Sequence, residues 1–243
     1  LLEALCTQAG VAIVRARLTE AFIEKQRIEE SIKLAGDIQM GMIPTKFPAF
    51  PDRKDFDLSA GIIPAKEVGG DFYDFFLIDK KHLCFVIGDV SDKGIPAALF
   101  MALTKSQIKG SSSRRRTPGD VLMRANNYLC QENESGMFCT LFYGILNTET
   151  GEVKYANAGH TAPYLMNSGG KSESIPITGD MALGVMEDIP FQTSTVNMTK
   201  ESSIYLFTDG VNEAMNEDQE EYSLDRLESF LDRKKSRSVS DIE

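Results

Sequence analysis

The chain is 243 residues long, with 26 Lys and Arg against 36 Asp and Glu and a formal net charge of −10. Its length fits one large domain or a domain with an appendage, and 42% apolar with 26% charged residues is a globular rather than a disordered composition. The acidic balance argues against a nucleic-acid partner, which calls for a basic face. The longest nearly apolar run, Gly94 to Leu103, falls well short of the about 18 residues that a membrane span takes.

The first 43 residues form a unit of their own. Val11, Val14, Leu18, Ala21, Lys25, Ile28, Ile32, Ala35, Gln39 and Met42 recur at alternating steps of three and four, and eight of these ten positions are apolar. That pattern predicts a coiled-coil helix of about four heptads, with Glu20, Glu24, Arg27, Glu29 and Glu30 around its seam. The alternative is one amphipathic helix packed on its own domain. The narrow seam and the absence of Pro favour a parallel homodimer through Val14, Leu18, Ala21, Ile28, Ile32 and Ala35, with Lys25 and Gln39 fixing register. Pro44 and Pro48 end the helix.

From residue 55 the periodicity changes to that of strands. Asp57–Ile63, Phe72–Ile78, His82–Ile87, Phe138–Leu146, Glu152–Ala156 and Ser203–Phe207 are short, rich in β-branched or aromatic residues and bounded by Gly, Asn or Asp. A helix opens at Ile95-Pro96 and runs through Ile108, and a second follows Thr117-Pro118. A third is expected at Leu224–Leu231. Arg114-Arg115-Arg116 reads as a solvated loop. Strands joined by hairpins, with helices grouped between them, predict an α+β fold. Cys6, Cys84, Cys130 and Cys139 lack metal-type spacing and read as reduced thiols of a cytoplasmic protein. A chain that begins without Met inside a helical pattern reads as a fragment, silent on any upstream signal peptide.

Three acids share a local design. The apolar runs Leu83–Ile87 and Ile204–Phe207 each lead to a carboxylate next to glycine, at Gly88-Asp89 and Asp209-Gly210, and Gly69-Gly70 presents Asp71 just before a strand. Glycines there would let backbone carbonyls approach as further oxygen ligands. Carboxylates brought together repel unless protons or cations neutralise them, and an all-oxygen set suits Mg²⁺ or Mn²⁺ rather than Zn²⁺. Each motif alone reads first as a turn. With no phosphate-binding Gly-x-x-x-x-Gly-Lys loop and no nucleophile elbow, two-metal hydrolysis is the chemistry left standing.

Taken in order, Pro64-Ala-Lys-Glu-Val-Gly-Gly-Asp-Phe-Tyr-Asp74, Gly88-Asp-Val-Ser-Asp-Lys-Gly94, Pro96-Ala-Ala-Leu99, Asn157-Ala-Gly-His160 with Pro163, and Thr208-Asp-Gly-Val-Asn-Glu213 resemble a known family. It is the sporulation-type branch of the PP2C-like, metal-dependent serine/threonine phosphatases of bacteria. Residues 38–231 carry the likeness. Ile38 to Pro44 is similar to the opening helix of that family, and residues 1–18 resemble the closing helix of a GAF sensor domain. This divides the chain into a sensor tail at 1–18, a coiled-coil linker at 19–43 and a phosphatase domain at 44–243.

The resemblance implies an αββα sandwich of two antiparallel sheets flanked by helices, holding two Mn²⁺ or Mg²⁺ ions. Asp89 would bridge both ions, the Val90 carbonyl would assist, Asp71 would serve one ion and Asp209 the other. Water attacks phosphorus in line in such sites. The implied substrate is a phosphorylated antagonist of an anti-sigma factor. Gly70, Gly210, Asn157, His160 and Asp92 are candidate supporting residues. Asp92 stands where the family often has Gly, either adding a carboxylate near the metals or, as the preferred reading, capping the next helix. His160 is open to two readings, a general acid or a turn residue satisfied by backbone, of which the second is preferred. The family's final Asp-Asp strand is absent from the stretch ending Ser240–Glu243. That absence motivates the alternative of a catalytically silent scaffold that binds a partner.

Overall fold

The computed structural model of the chain describes residues 2–167 and 171–233. In chain order it contains α1 (Leu2–Met42), β1 (Phe72–Leu77), β2 (His82–Val90), α2 (Ile95–Ser111), α3 (Pro118–Gln131), β3 (Cys139–Asn147) and β4 (Glu152–Ala158). There follow β5 (Tyr164–Met166), β6 (Ser172–Ser174), β7 (Ser194–Asn197), β8 (Ser203–Tyr205), the single turn α4 (Asp209–Asn212) and α5 (Leu224–Arg233). One antiparallel sheet has the order β1-β2-β3-β4-β7 and the other β6-β5-β8. The expected sandwich is present.

Strand alternation explains the layers. In β3, Leu141 and Tyr143 point to the helical side, where they pack with Val121, Leu122, Ala125 and Leu129 of α3 and Met101 and Ile108 of α2. Phe142, between them, points the other way into a second cluster with Tyr155, Leu165 and Ile175 that joins the two sheets. On the far face of the smaller sheet, Tyr164 and Phe207 meet Leu227 and Leu231 of α5. The order is therefore helices, sheet, sheet, helix.

Local chemistry sets the element ends. Thr117 and Asp120 form a reciprocal capping box at the start of α3, with Pro118 in its first turn. The predicted strand at Asp57–Ile63 is corrected: the segment has no regular secondary structure and pairs with no strand. It lies between Pro51 and Pro64, and the Ala60 carbonyl, together with that of Pro44, accepts from the Tyr73 hydroxyl instead of from a ladder partner. Strands β5, β6 and β7 escaped the sequence reading because they are only three or four residues long.

Helix α1 is continuous through the expected 18/19 junction. Its seam divides in two. Val11, Val14, Leu18 and Ile28 are exposed, and so are Ile13, Phe22, Ile23, Leu34 and Ile38, so the free apolar surface is wider than the seam. Toward the helix end, Ile32 and Ala35 are half-buried and Gly36 is buried, a Cβ at that glycine lying 2.2 Å from the Glu67 carbonyl oxygen. Gln39, expected to specify register between two helices, is buried against its own domain. Its amide donates to the Gly69 carbonyl at 2.6 Å and accepts from the Gly69 N–H at 3.1 Å.

Helix α2 is tied to β1 by an ion pair between Lys105 and Asp74, whose carboxylate is 3% exposed and also accepts from the Phe75 N–H. A charge this deep depends on its partner. Replacing Lys105 by Met strands the Asp74 carboxylate, and urea unfolding should show a loss of about 3 kcal/mol or more. A loss below about 1 kcal/mol would contradict the pair's structural weight.

Candidate metal centre

The sheet register brings two acids face to face. Phe72 pairs with Gly88, so the preceding residue, Asp71, falls level with Asp89, and Asp89 itself pairs with Thr140 of β3. Alternation along β2 gives Asp89 the same face as Phe85 and Ile87, which pack between the sheets. Asp89 thus ends an apolar row at the mouth of the sandwich. Burial, the adjoining Asp71 carboxyl and the charges of Asp71, Asp209 and Glu213 push the Asp89 carboxyl up to about 8. The close approach needs glycine: a Cβ at Gly70 would sit 2.5 Å from the Val90 carbonyl oxygen.

Asp209 arrives from the other sheet. Strand β8 ends at Tyr205, and Asp209 opens the turn α4 with Thr208 as its N-cap residue. The Thr208 hydroxyl makes no capping bond and instead donates to Asp71 Oδ2 at 2.8 Å. Asp71 thus lies against Asp89, while Asp209 is linked to the pair only through the hydrogen bond of its neighbour Thr208 to Asp71.

His160 lies behind this arrangement and is 3% exposed. Its backbone N–H donates to Asn157 Oδ1 at 2.7 Å, and Asn157 Nδ2 donates to the His160 carbonyl at 2.8 Å, closing the Asn157–His160 turn. Ring atom Nε2 lies 3.1 Å from the Phe207 carbonyl and Nδ1 lies 3.0 Å from the Thr140 hydroxyl. A carbonyl only accepts, so Nε2 carries the proton and Nδ1 accepts from Thr140. Burial holds the imidazole below its ordinary pKa and keeps it neutral. Both ring nitrogens are engaged, in keeping with a satisfied turn residue.

Two supporting expectations are corrected. Asp92 does not cap α2: the N-cap is Gly94, with no side-chain cap bond. Asp92 is exposed and left-handed, with φ 67°, which accounts for glycine being at home at that position. Gly94, at φ 84° and ψ −157°, occupies a region essentially reserved for glycine. Gly210 permits no close approach; it lies inside α4, and a Cβ there meets nothing nearer than the Thr208 hydroxyl at 3.9 Å.

Thr140, Thr208 and Glu213 were not singled out as site residues, because a lone Thr or an exposed Glu carries no chemical signature. Asn212, in the same turn as Asp209, has a buried side-chain oxygen with no hydrogen-bond partner among the described residues. Among those residues, no three Asp, Glu, His or Cys side chains stand closely enough together to hold an ion as placed. The terminal stretch around Asp241 lies outside the described residues. The donor chemistry fits hard divalent cations: oxygen atoms only, and a carboxylate pair whose mutual repulsion a cation would relieve.

Comparison with known proteins identifies the family. The family model for stage II sporulation protein E (SpoIIE) matches residues 79–242. The chain belongs to the SpoIIE family. It is 32% identical to protein IcfG of Synechocystis sp., over 80% of this chain and 34% of that protein. It is 31% identical to the phosphoserine phosphatase RsbU of Bacillus subtilis, over 79% of this chain and 56% of that protein. The chain thus spans a third to just over half of the length of these relatives. The solved SiaA-PP2C domain of Pseudomonas aeruginosa superposes with a TM-score of 0.73 at 19% identity, covering 90% of this chain and 86% of that one. That likeness shows the PP2C-like fold.

The Asp89 shift has a sign that can be checked. A carboxyl bound more tightly to its proton in the folded state contributes stability below the ordinary carboxylate range and loses it as pH rises through about 8. The metal-free melting temperature should therefore fall from pH 6 toward about pH 8 and level off by pH 8.5. Added Mn²⁺ should raise it more at the upper end. Asp89→Asn should flatten both trends; an Mn²⁺ effect of equal size at both pH values would contradict the assignment.

Proposed function

We propose that this chain is a metal-dependent protein phosphatase that removes phosphate from phosphoserine or phosphothreonine on a regulatory protein. The observation carrying this reading is the Asp71–Asp89 carboxylate pair at the sandwich mouth, with Asp209 brought beside it, in a SpoIIE-family chain. The likeness to the phosphoserine phosphatase RsbU supports the reaction class. The antagonist of an anti-sigma factor is the substrate class that this reading favours, and the cytoplasm is its setting. Among the described residues, no helix is long and apolar enough to cross a membrane.

Asp71, Asp89, Asp209 and the Val90 carbonyl would hold two Mn²⁺ or Mg²⁺ ions. Such ions supply charge neutralisation for phosphoryl oxygens and an acidified water. The chain's own groups do the orienting. Sheet register fixes Asp71 against Asp89, Gly70 admits the Val90 backbone, and the closed Asn157–His160 turn backs the site from below. His160, neutral and doubly bonded, orients rather than transfers a proton. Buried Cys84, whose thiol burial pushes up to about 12, and buried Cys139 stay out of the chemistry.

The test is phosphate release from a phosphoserine protein in Mn²⁺, comparing wild type with Asp89→Asn. A fall of about 100-fold or more is expected for loss of a bridging ligand. Equal rates would favour the silent scaffold, a reading to which the lack of a preassembled three-ligand cluster among the described residues lends some support.

Residues 1–18 would close a sensor domain and 19–43 would link it to the phosphatase as a parallel dimer. The exposed Val11, Val14, Leu18 and Ile28 support this pairing. Leu18→Glu with Ile28→Glu should shift the chain from dimer to monomer in sedimentation while leaving the domain's melting temperature within about 2 °C, since neither side chain touches the core. A wild-type monomer at micromolar concentration would end the dimer proposal.

A further inference from the structure

We infer that Thr208 and His160 are positioning residues that clasp the Asp209 turn against the Asp71–Asp89 pair, and that this clasp sets the affinity of the site for divalent cations. The inference rests on the phosphatase reading only in taking these acids as ion ligands.

Thr208 occupies the N-cap position of α4 in the extended backbone conformation that a capping threonine uses, φ −93° and ψ 168°. Its hydroxyl nevertheless leaves the turn uncapped and donates to Asp71 Oδ2, a partner 137 positions away. A local capping bond has been exchanged for one across the two sheets. One residue earlier, the Phe207 carbonyl accepts from the neutral His160 ring, whose other nitrogen accepts from Thr140. Thr140 stands opposite Asp89 in the sheet register. These links close a circuit running Asp71, Asp89, Thr140, His160, Phe207, Thr208 and back to Asp71.

The circuit matters because the turn carrying Asp209 lies beyond the last strand pairing, past the point where Phe207 packs against Tyr164, Leu227 and Leu231. Strand β8 pairs with β5 through three residues and stops at Tyr205, and no residue of α4 is buried. Asp209 and Glu213 add like charge beside the Asp71–Asp89 pair, so repulsion opposes holding this segment close before any cation arrives. Two bonds, at Phe207 and Thr208, oppose that push. Hydrogen bonds to ligating carboxylates from outside the coordination sphere characteristically govern metal affinity by about 10- to 100-fold.

Calorimetric titration of the chain with Mn²⁺, for wild type, Thr208→Val, Thr208→Ser and His160→Gln, tests the clasp. Thr208→Val should weaken Mn²⁺ binding by about 10- to 100-fold and His160→Gln by about 10-fold, while Thr208→Ser, which keeps the hydroxyl, stays close to wild type. In phosphate release, the Mn²⁺ concentration for half-maximal rate should rise in parallel with the dissociation constant. Thermal unfolding without metal reports whether each variant is folded. Should His160→Gln not fold, Thr140→Val removes the hydroxyl that the ring accepts from and carries the same expectation. Unchanged Mn²⁺ affinity in folded Thr208→Val overturns the clasp alone. So does a rate loss at unchanged affinity, which would place Thr208 against substrate. A wild type that binds no Mn²⁺, or binds it as Asp89→Asn does, overturns the phosphatase reading and the clasp together.

Discussion

The geometry of the site follows from one pairing. Once Phe72 is set opposite Gly88, Asp71 and Asp89 have nowhere to go except against each other. Like charges directly opposite on neighbouring strands destabilise a sheet, and burial at the sandwich mouth raises the cost by weakening solvation. A sheet that tolerates this arrangement holds an unrelieved repulsion that protons or divalent cations relieve. The rise of the Asp89 carboxyl to about 8 is burial first, and that repulsion second, expressed as proton affinity.

The layers around that pair divide the labour. On the helical side, Cys84, Val86 and Val90 anchor β2 under α2 and α3, while Phe85 and Ile87 anchor it to the smaller sheet. Asp89 is therefore fixed from both faces before any ligand is considered. Lys105 of α2 neutralises Asp74, three residues beyond Asp71 on β1, so a second carboxylate of the same strand is committed internally and removed from the cation chemistry. The helix that follows the Asp89 loop begins at a glycine in a conformation other residues avoid, and this allows the chain to turn sharply away from the acids.

Much of this was legible in the sequence, for identifiable reasons. The β2 run Leu83–Ile87 announced a buried strand ending in a carboxylate, and Gly69-Gly70 announced a tight approach that the contact with Val90 bears out. The α2 and α3 starts were marked by Pro96 and by Thr117-Pro118. What stayed hidden depended on tertiary context. The stretch 57–63 has strand composition but loses its ladder to the Tyr73 hydroxyl and the flanking prolines. Asp92 looked like a cap because its spacing is right, yet its left-handed backbone leaves capping geometry unavailable. Thr208 sits in a cap position and does something else, a diversion that only the distant partner Asp71 reveals. Gln39 matched a heptad slot because an amide is acceptable in both a coiled-coil seam and a buried backbone contact.

Gln39 also changes how the long helix relates to the acids. Its side-chain amide satisfies both backbone groups of Gly69, the way a neighbouring strand would, and Gly69 lies two residues before Asp71. Two turns of helix α1 on either side of Gly36 are thereby fixed to the same peptide segment that presents the first acid, with the Glu67 carbonyl pressed against the Gly36 backbone. A rotation or translation of α1 cannot leave this segment where it is: moving the helix breaks two hydrogen bonds to Gly69, drives Gly36 against Glu67, or carries Gly70 and Asp71 with it. The helix with the exposed apolar surface is thus joined to the segment that presents Asp71 through Gln39 and the backbone of Gly69.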